Sequence, residues 1–275
     1  MLRSDLHGCA STSTLICVAL LLGLARGQNI APQSEQNAYH VAVHAKDIRA
    51  RIKGLELFLK TYPGSTLKEG ALENLANAYR HSGTVREEQE ALKRLLTVNV
   101  DNLRGLSLKA ELMFLRCDNA DCEREETSLA EHGFRVLGSG INPDYVSDKE
   151  FRVQKVEAAT VFHQVAGNAA LKQHDYPTAQ AHCLVLVKED PNSFGYVYPL
   201  ALAYLNADPP DIPKGLFYMA RAAALAGVDD RKRLEDYGRE QYEKYHGSTQ
   251  GWLEVLRLAK ATPQVPSGFT ITAAR

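Results

Sequence analysis

The stretch Gly167-Asn168-Ala169-Ala170-Leu171-Lys172-Gln173-His174-Asp175-Tyr176-Pro177-Thr178-Ala179-Gln180-Ala181-His182-Cys183-Leu184-Val185-Leu186-Val187-Lys188-Glu189-Asp190-Pro191 decides the fold. Its apolar residues recur at three and four, the helical period, on either side of one break. Gly167 is a small contact residue on the first helix, and His174-Asp175-Tyr176-Pro177 makes the turn. Ala179, Cys183 and Leu186 then form the inner face of a second helix, which Asp190-Pro191 stops. Two short antiparallel helices follow, each with an apolar stripe that must be buried on the other.

The same unit recurs outward in both directions. Leu72, Leu75, Ala76 and Tyr79 share a stripe, and after Ser82-Gly83 the segment Arg86 to Val98 turns Leu92, Leu95 and Leu96 inward. Leu106, Ala110 and Met113 repeat Leu72, Ala76 and Tyr79 at a spacing of 34 residues, with Ala130, Phe134, Leu137 and Pro143 behind them. Leu200, Ala201 and Tyr204, then Gly215, Met219 and Ala222, make a further copy whose turn is lengthened by Asp208-Pro209-Pro210-Asp211. A partial copy ends in Phe58-Leu59-Lys60-Thr61-Tyr62-Pro63-Gly64-Ser65. Recurrence at this period predicts an all-α chain of stacked helix hairpins.

The Gly167 to Pro191 unit resembles a tetratricopeptide repeat, with the small residue, the His-Asp-Tyr turn, the two apolar contacts and the terminating proline at their offsets. The Phe-Leu-x-x-Tyr-Pro-x-Ser wording at 58–65 is similar to repeats of exported bacterial cell-envelope members of that family. The likeness covers roughly residues 45 to 227. It implies a right-handed α-solenoid of antiparallel hairpins over residues 28–260. Whether this is one solenoid or two pieces hinged near 138–147, at Gly138-Ser139-Gly140, stays open.

Boundary signals refine this frame. Ser147-Asp148-Lys149-Glu150 reads as a capping box opening a helix that runs to about Gln173, and His246-Gly247 ends another. Ser248 is expected to cap a last helix through Lys260. Pro199 fits a helix that begins near Tyr198, with the proline in its first turn. Residues 261–275, which carry Pro263, Pro266 and Gly268, are expected to form a flexible tail.

Residues 1–27 read as a cleaved signal peptide. Arg3 opens the segment, Leu15 to Leu24 is an apolar run, and Ala25-Arg26-Gly27 supplies small residues for cleavage after Gly27. A helix over that run rises roughly 15 Å, too little for a hydrocarbon core about 30 Å thick. A periplasmic or secreted protein without stable membrane insertion is expected. In an oxidising compartment Cys117 and Cys122 are expected to form a short-loop disulfide, because a redox-active pair favours two intervening residues and this one has four. The pair lies in an insertion of about eight residues relative to the family spacing, read as an extended turn that the bridge ties down. Cys183, on an apolar face, is expected to be a small buried hydrophobe.

The 32 basic and 33 acidic residues nearly cancel. Removing residues 1–27 leaves 30 against 32, so no nucleic-acid partner is expected. His40 and His44 stand four apart on a helix, but Val41 occupies the place where a metalloprotease carries its general base, and both are read as surface histidines. Phosphate loops, nucleophile elbows and clustered Cys/His ligands find no match, so neither catalysis nor a cofactor is expected.

The family likeness implies instead a concave groove lined by first helices, facing a protein or peptide partner. Its candidate residues are Glu73, Asn77, Arg80, Arg104, Glu111, Gln164, Asn168 and Tyr198. Asn77 and Asn168 hold the position at which some tetratricopeptide domains grip a peptide carboxylate, while Glu73 and Gln164 replace the lysine of such a clamp. The alternatives are a self-associating structural solenoid, hence a homo-oligomer, and an accessory subunit of an envelope enzyme or a redox helper using Cys117 and Cys122.

Overall fold

The turn at His174 forms as its residues dictate. His174 takes a left-handed φ of 60°, and the Asp175 carboxylate accepts the backbone N–H of Thr178 at 3.2 Å. Pro177 sits in the first turn that follows, where a missing N–H leaves no bond unmade. Gly167 has the contact expected of it, since a Cβ there would meet Cys183 Sγ at 3.2 Å. Cys183 is buried and free, and burial pushes its thiol up to about 12.

The computed structural model describes residues 31–274; the signal segment read at 1–27 lies outside the described residues. Among the described residues all regular structure is helical, in twelve helices. They run as α1 Gln33–Val43, α2 Ile48–Thr61, α3 Lys68–Ser82, α4 Val85–Val98, α5 Leu103–Phe114, α6 Ala120–Ser139, α7 Asp148–Lys172, α8 Tyr176–Glu189, α9 Phe194–Asn206, α10 Ile212–Leu225, α11 Val228–His246 and α12 Trp252–Ala261. From α1 to α11 each helix packs on the next in sequence, and the odd helices α1, α3, α5, α7 and α9 touch one another in turn. At the C-terminal side the alternation changes, because α12 returns to pack on α10. None of the helices is long and apolar enough to cross a membrane.

Side-chain caps fix several helix starts. Asp47, Asn102, Asn119, Asp175 and Asp211 each accept a backbone N–H in the first turn. Ser147 and Glu150 form the full reciprocal box at the head of α7. Gly83 and Gly247 close α3 and α11 in the left-handed region, at φ of 72° and 86°.

Four expectations need correction. First, α9 begins at Phe194, so Pro199 lies inside it. The bond lost is to the Gly195 carbonyl, and burial of Val197, Leu200 and Ala201 outweighs it. Second, α12 begins at Trp252 rather than at Ser248. Trp252 is buried against Gly238 and Tyr242, and that burial is worth more than a cap of about 1 kcal/mol.

Third, the insertion after Ala110 is helix, not turn. Asn119 caps α6 through the Cys122 N–H at 3.0 Å, and only residues 115–119 separate α5 from α6. Cys117 and Cys122 are bonded to each other, with Cα atoms 5.5 Å apart. Fourth, the tail is docked. Phe269 packs edge-on against Phe217 at 5.5 Å, Ile271 is buried, and the Ala274 N–H bonds the Tyr245 carbonyl at 2.8 Å.

Helicity of the insertion buries a carboxyl. Glu126 of α6 is fully enclosed, neither of its oxygens has a hydrogen-bond partner, and Lys172 Nζ stands 3.8 Å away. Burial holds its pKa above the ordinary 4.5 against the pull of Lys172. A carboxyl raised in the folded state keeps its proton above pH 4.5, so its contribution to stability falls as pH rises through that window. Glu126→Gln is therefore expected to stabilise the fold by about 1 kcal/mol at neutral pH. At pH 4, where both side chains are neutral, the gain should vanish. Urea midpoints at the two pH values check this, and an equal difference at both would contradict it.

Candidate functional site

Residues of α1, α3, α5 and α7, with the connection 140–147, enclose a polar cleft of about 690 Å³. Its floor is a network centred on Glu73 of α3, which is 8% exposed. Glu73 accepts hydrogen bonds from Tyr145 Oη at 3.0 Å, Asn102 Nδ2 at 3.3 Å and Gln154 Nε2 at 3.2 Å. One turn earlier Glu69 accepts from Asn99 at 2.7 Å and Asn102 at 2.8 Å. Asn102 serves two ends at once, since its Oδ1 also caps α5 through the Gly105 N–H at 2.6 Å.

Tyr145 comes from the α6–α7 connection and lies across α3. Gly70 makes room for it, because a Cβ there would sit 2.9 Å from both the Tyr145 ring and Tyr39 Oη. Tyr39 Oη in turn accepts from Asn74 Nδ2 at 3.3 Å. The segment 138–147, where the sequence leaves a hinge open, thus carries a side chain anchored to α3 and to the N-cap of α5. Beyond Tyr145 a further hollow of about 580 Å³ is lined by Glu69, Asp101, His132 and Arg135 among others, with His132 Nε2 and Asp101 Oδ1 at 2.7 Å.

Burial governs the electrostatics here. It raises Glu73, while Tyr145, Asn102 and Arg104 act to lower it. The Tyr145 phenol is pushed far up by burial and by the neighbouring Glu73 and Glu69 carboxylates, and Tyr39 goes up to about 12 by burial and then by Glu73, against the Asn74 hydrogen bond. Cations balance the carboxylates at the rim, with Arg104 Nη1 bonding Glu157 Oε2 at 3.0 Å and Arg80 pairing with Glu111.

The eight groove candidates divide into three sets. Glu73, Asn77 and Arg104 line the cleft together. Arg80 and Glu111 form their ion pair beside it and line an adjoining hollow with Glu88. Gln164, Asn168 and Tyr198 are half-buried and line neither cavity, and Tyr198 stacks on Phe194 at 5.4 Å. Tyr39, Glu69, Asn102, Tyr145 and Gln154 escaped the sequence reading. Asn102 alone had a local signal, its N-cap position before Leu103; the others meet only through tertiary packing. His40 and His44 stack at 4.1 Å, with His44 Nδ1 3.0 Å from the His40 carbonyl.

Almost every polar group of the floor is matched by another. The exception among the cleft-lining side chains is Asn77, whose Oδ1 has no hydrogen-bond donor in the protein. Chemically the cleft offers aromatic edges from Tyr39 and Tyr145 and charges of both signs. No known family model matches the chain, and no curated protein is similar to it.

Proposed function

We propose that the chain is an exported, non-catalytic α-solenoid of tetratricopeptide type that binds a protein segment in the cleft between α1, α3, α5 and α7. The observation that carries this reading is the lining of the cleft: Glu73, Asn77 and Arg104, drawn from α3 and the start of α5, meet in one polar hollow of a size to take a peptide side chain and its flanking backbone. The order of helix packing and the hairpins at 68–98, 103–139, 148–189 and 194–225 support the repeat reading. The near-neutral charge favours a protein partner over a polyanion. The paired cysteines are compatible with residence outside the cytoplasm.

A photo-crosslinking residue at position 77 in the mature protein tests this in an envelope fraction. A specific adduct is expected, reduced about tenfold by Arg104→Glu, while the circular dichroism spectrum stays unchanged. Recovery of no protein above control would remove the proposal. A second reading, self-association, is favoured by Val41 and Leu57, exposed by 72% and 61% on the first helix pair. Light scattering that shows a monomer at high concentration eliminates it.

A further inference from the structure

A separate hollow of about 610 Å³ opens between α4, α5 and α6 and shares no residue with the polar cleft. Its floor is apolar, with Leu96, Leu112 and Met113 presented to it. Its rim is basic. Lys93 of α4 and Arg116, just past α5, are exposed and form no ion pair among the described residues, whereas Lys109 Nζ is held by Glu125 Oε1 at 2.8 Å. Cys122 supplies the wall on the α6 side. The bond from Cys122 to Cys117, the neighbour of Arg116, fixes wall and rim together. The insertion that lengthens α6 thereby builds one side of this hollow.

Two unpaired cations above an apolar floor match a ligand that has both an anionic head and a hydrocarbon body. Volumes of roughly 300–1,000 Å³ suit a single small molecule. Of the other side chains at the rim, Gln89 and Thr97 are neutral, and the single carboxylate, Glu125, is neutralised by Lys109. We infer that this hollow binds an alkyl carboxylate, with its carboxylate at the Lys93 and Arg116 rim and its chain on Leu96, Leu112 and Met113. The assignment stands apart from the peptide cleft and does not rest on it.

Calorimetric titration of the oxidised mature chain with dodecanoate below its micelle concentration tests the inference. Saturable one-to-one binding is expected. Dodecanol, which keeps the chain and lacks the charge, should bind about tenfold more weakly. Lys93→Glu with Arg116→Glu should weaken dodecanoate by about tenfold or more, and Lys93→Gln with Arg116→Gln by less. All four substitutions are on exposed side chains, and thermal melts confirm that the variants fold. Arg239→Glu, on α11, should bind as the parent does. Absence of saturable binding, equal affinity for dodecanol, or a charge-reversed variant within about twofold of the parent would each overturn it.

Discussion

Replacing Gly133 by alanine is expected to lower the unfolding free energy by about 3 kcal/mol and the melting temperature by roughly 6–12 °C. Gly133 lies in α6 where it crosses α7, and a Cβ there would stand within 2.5 Å of Phe162 Cζ and of its two Cε atoms. That ring has nowhere to go. Phe162 is fully buried, and Phe134 packs on it edge-on at 5.9 Å. Alanine also improves helix propensity, by about 1 kcal/mol, so the two effects oppose each other and the sign of the change reports which wins. The double variant Gly133→Ala with Phe162→Leu should lose less than the sum of the single changes, because the smaller side chain vacates the contested space. A rise in melting temperature for Gly133→Ala alone would mean that the α6–α7 contact is looser than described.

Arg221→Met is expected to cost a comparable amount, about 3 kcal/mol or more. Arg221 of α10 is 7% exposed, and all its partners are neutral oxygens. Nη1 donates to the Ala259 and Lys260 carbonyls at 3.1 and 3.2 Å, and Nη2 donates to Asn192 Oδ1. The first two are among the last carbonyls of α12, the negative end of that helix dipole. The guanidinium therefore ties α12 and the α8–α9 connection to α10. Burial holds its pKa below the usual guanidinium range. Methionine fills much of the space and leaves those carbonyls without donors. Arg221→Lys should recover only part of the loss, since an ammonium cannot present the planar fork. Amide exchange gives the specific readout, because protection should fall first in 252–261. A uniform loss over all helices would contradict the local clamp.

Helix identity was legible from periodicity because each hairpin is held by contacts close in sequence. Ala179, Cys183 and Leu186 needed only the preceding helix to bury them, and the same holds for Leu72 and Ala76 against Leu92 and Leu95. What the residues did not reveal depends on distant partners. Ser248 is a better cap than Gly251 locally, yet Trp252 fixes the start of α12 by burial against Gly238, a contact invisible to any short window. Cys117 and Cys122 were read correctly as a pair, but the insertion of about eight residues that holds them was read as an extended turn. Its helical character rests on the Asn119 cap and on burial of Glu126 and Leu129 from another element. A Glu at a core position gives no apolar signal.

The cleft was legible by half. Glu73, Asn77 and Arg104 follow from repeat register, which carries side-chain direction from one first helix to the next. Register also put Gln164 and Asn168 on the same path. The long α7, however, presents its earlier residues Gln154 and Glu157 to the cleft instead. Tyr145 could not be foreseen, because a loop residue between Gly138-Ser139-Gly140 and the α7 cap has no period to follow. Gly70 was its only trace, and a helical glycine has many explanations.

Docking of residues 263–274 gives the molecule a polarity. A row of stacked hairpins is in principle open at both ends, and each open end presents apolar surface that a further unit could continue. Here Phe269 and Ile271 occupy that surface beside Phe217, and the backbone from 272 to 274 bonds to the end of α11. If the hairpins stack as proposed above, a further unit could continue from α10 and α11 only by displacing Phe269 and Ile271.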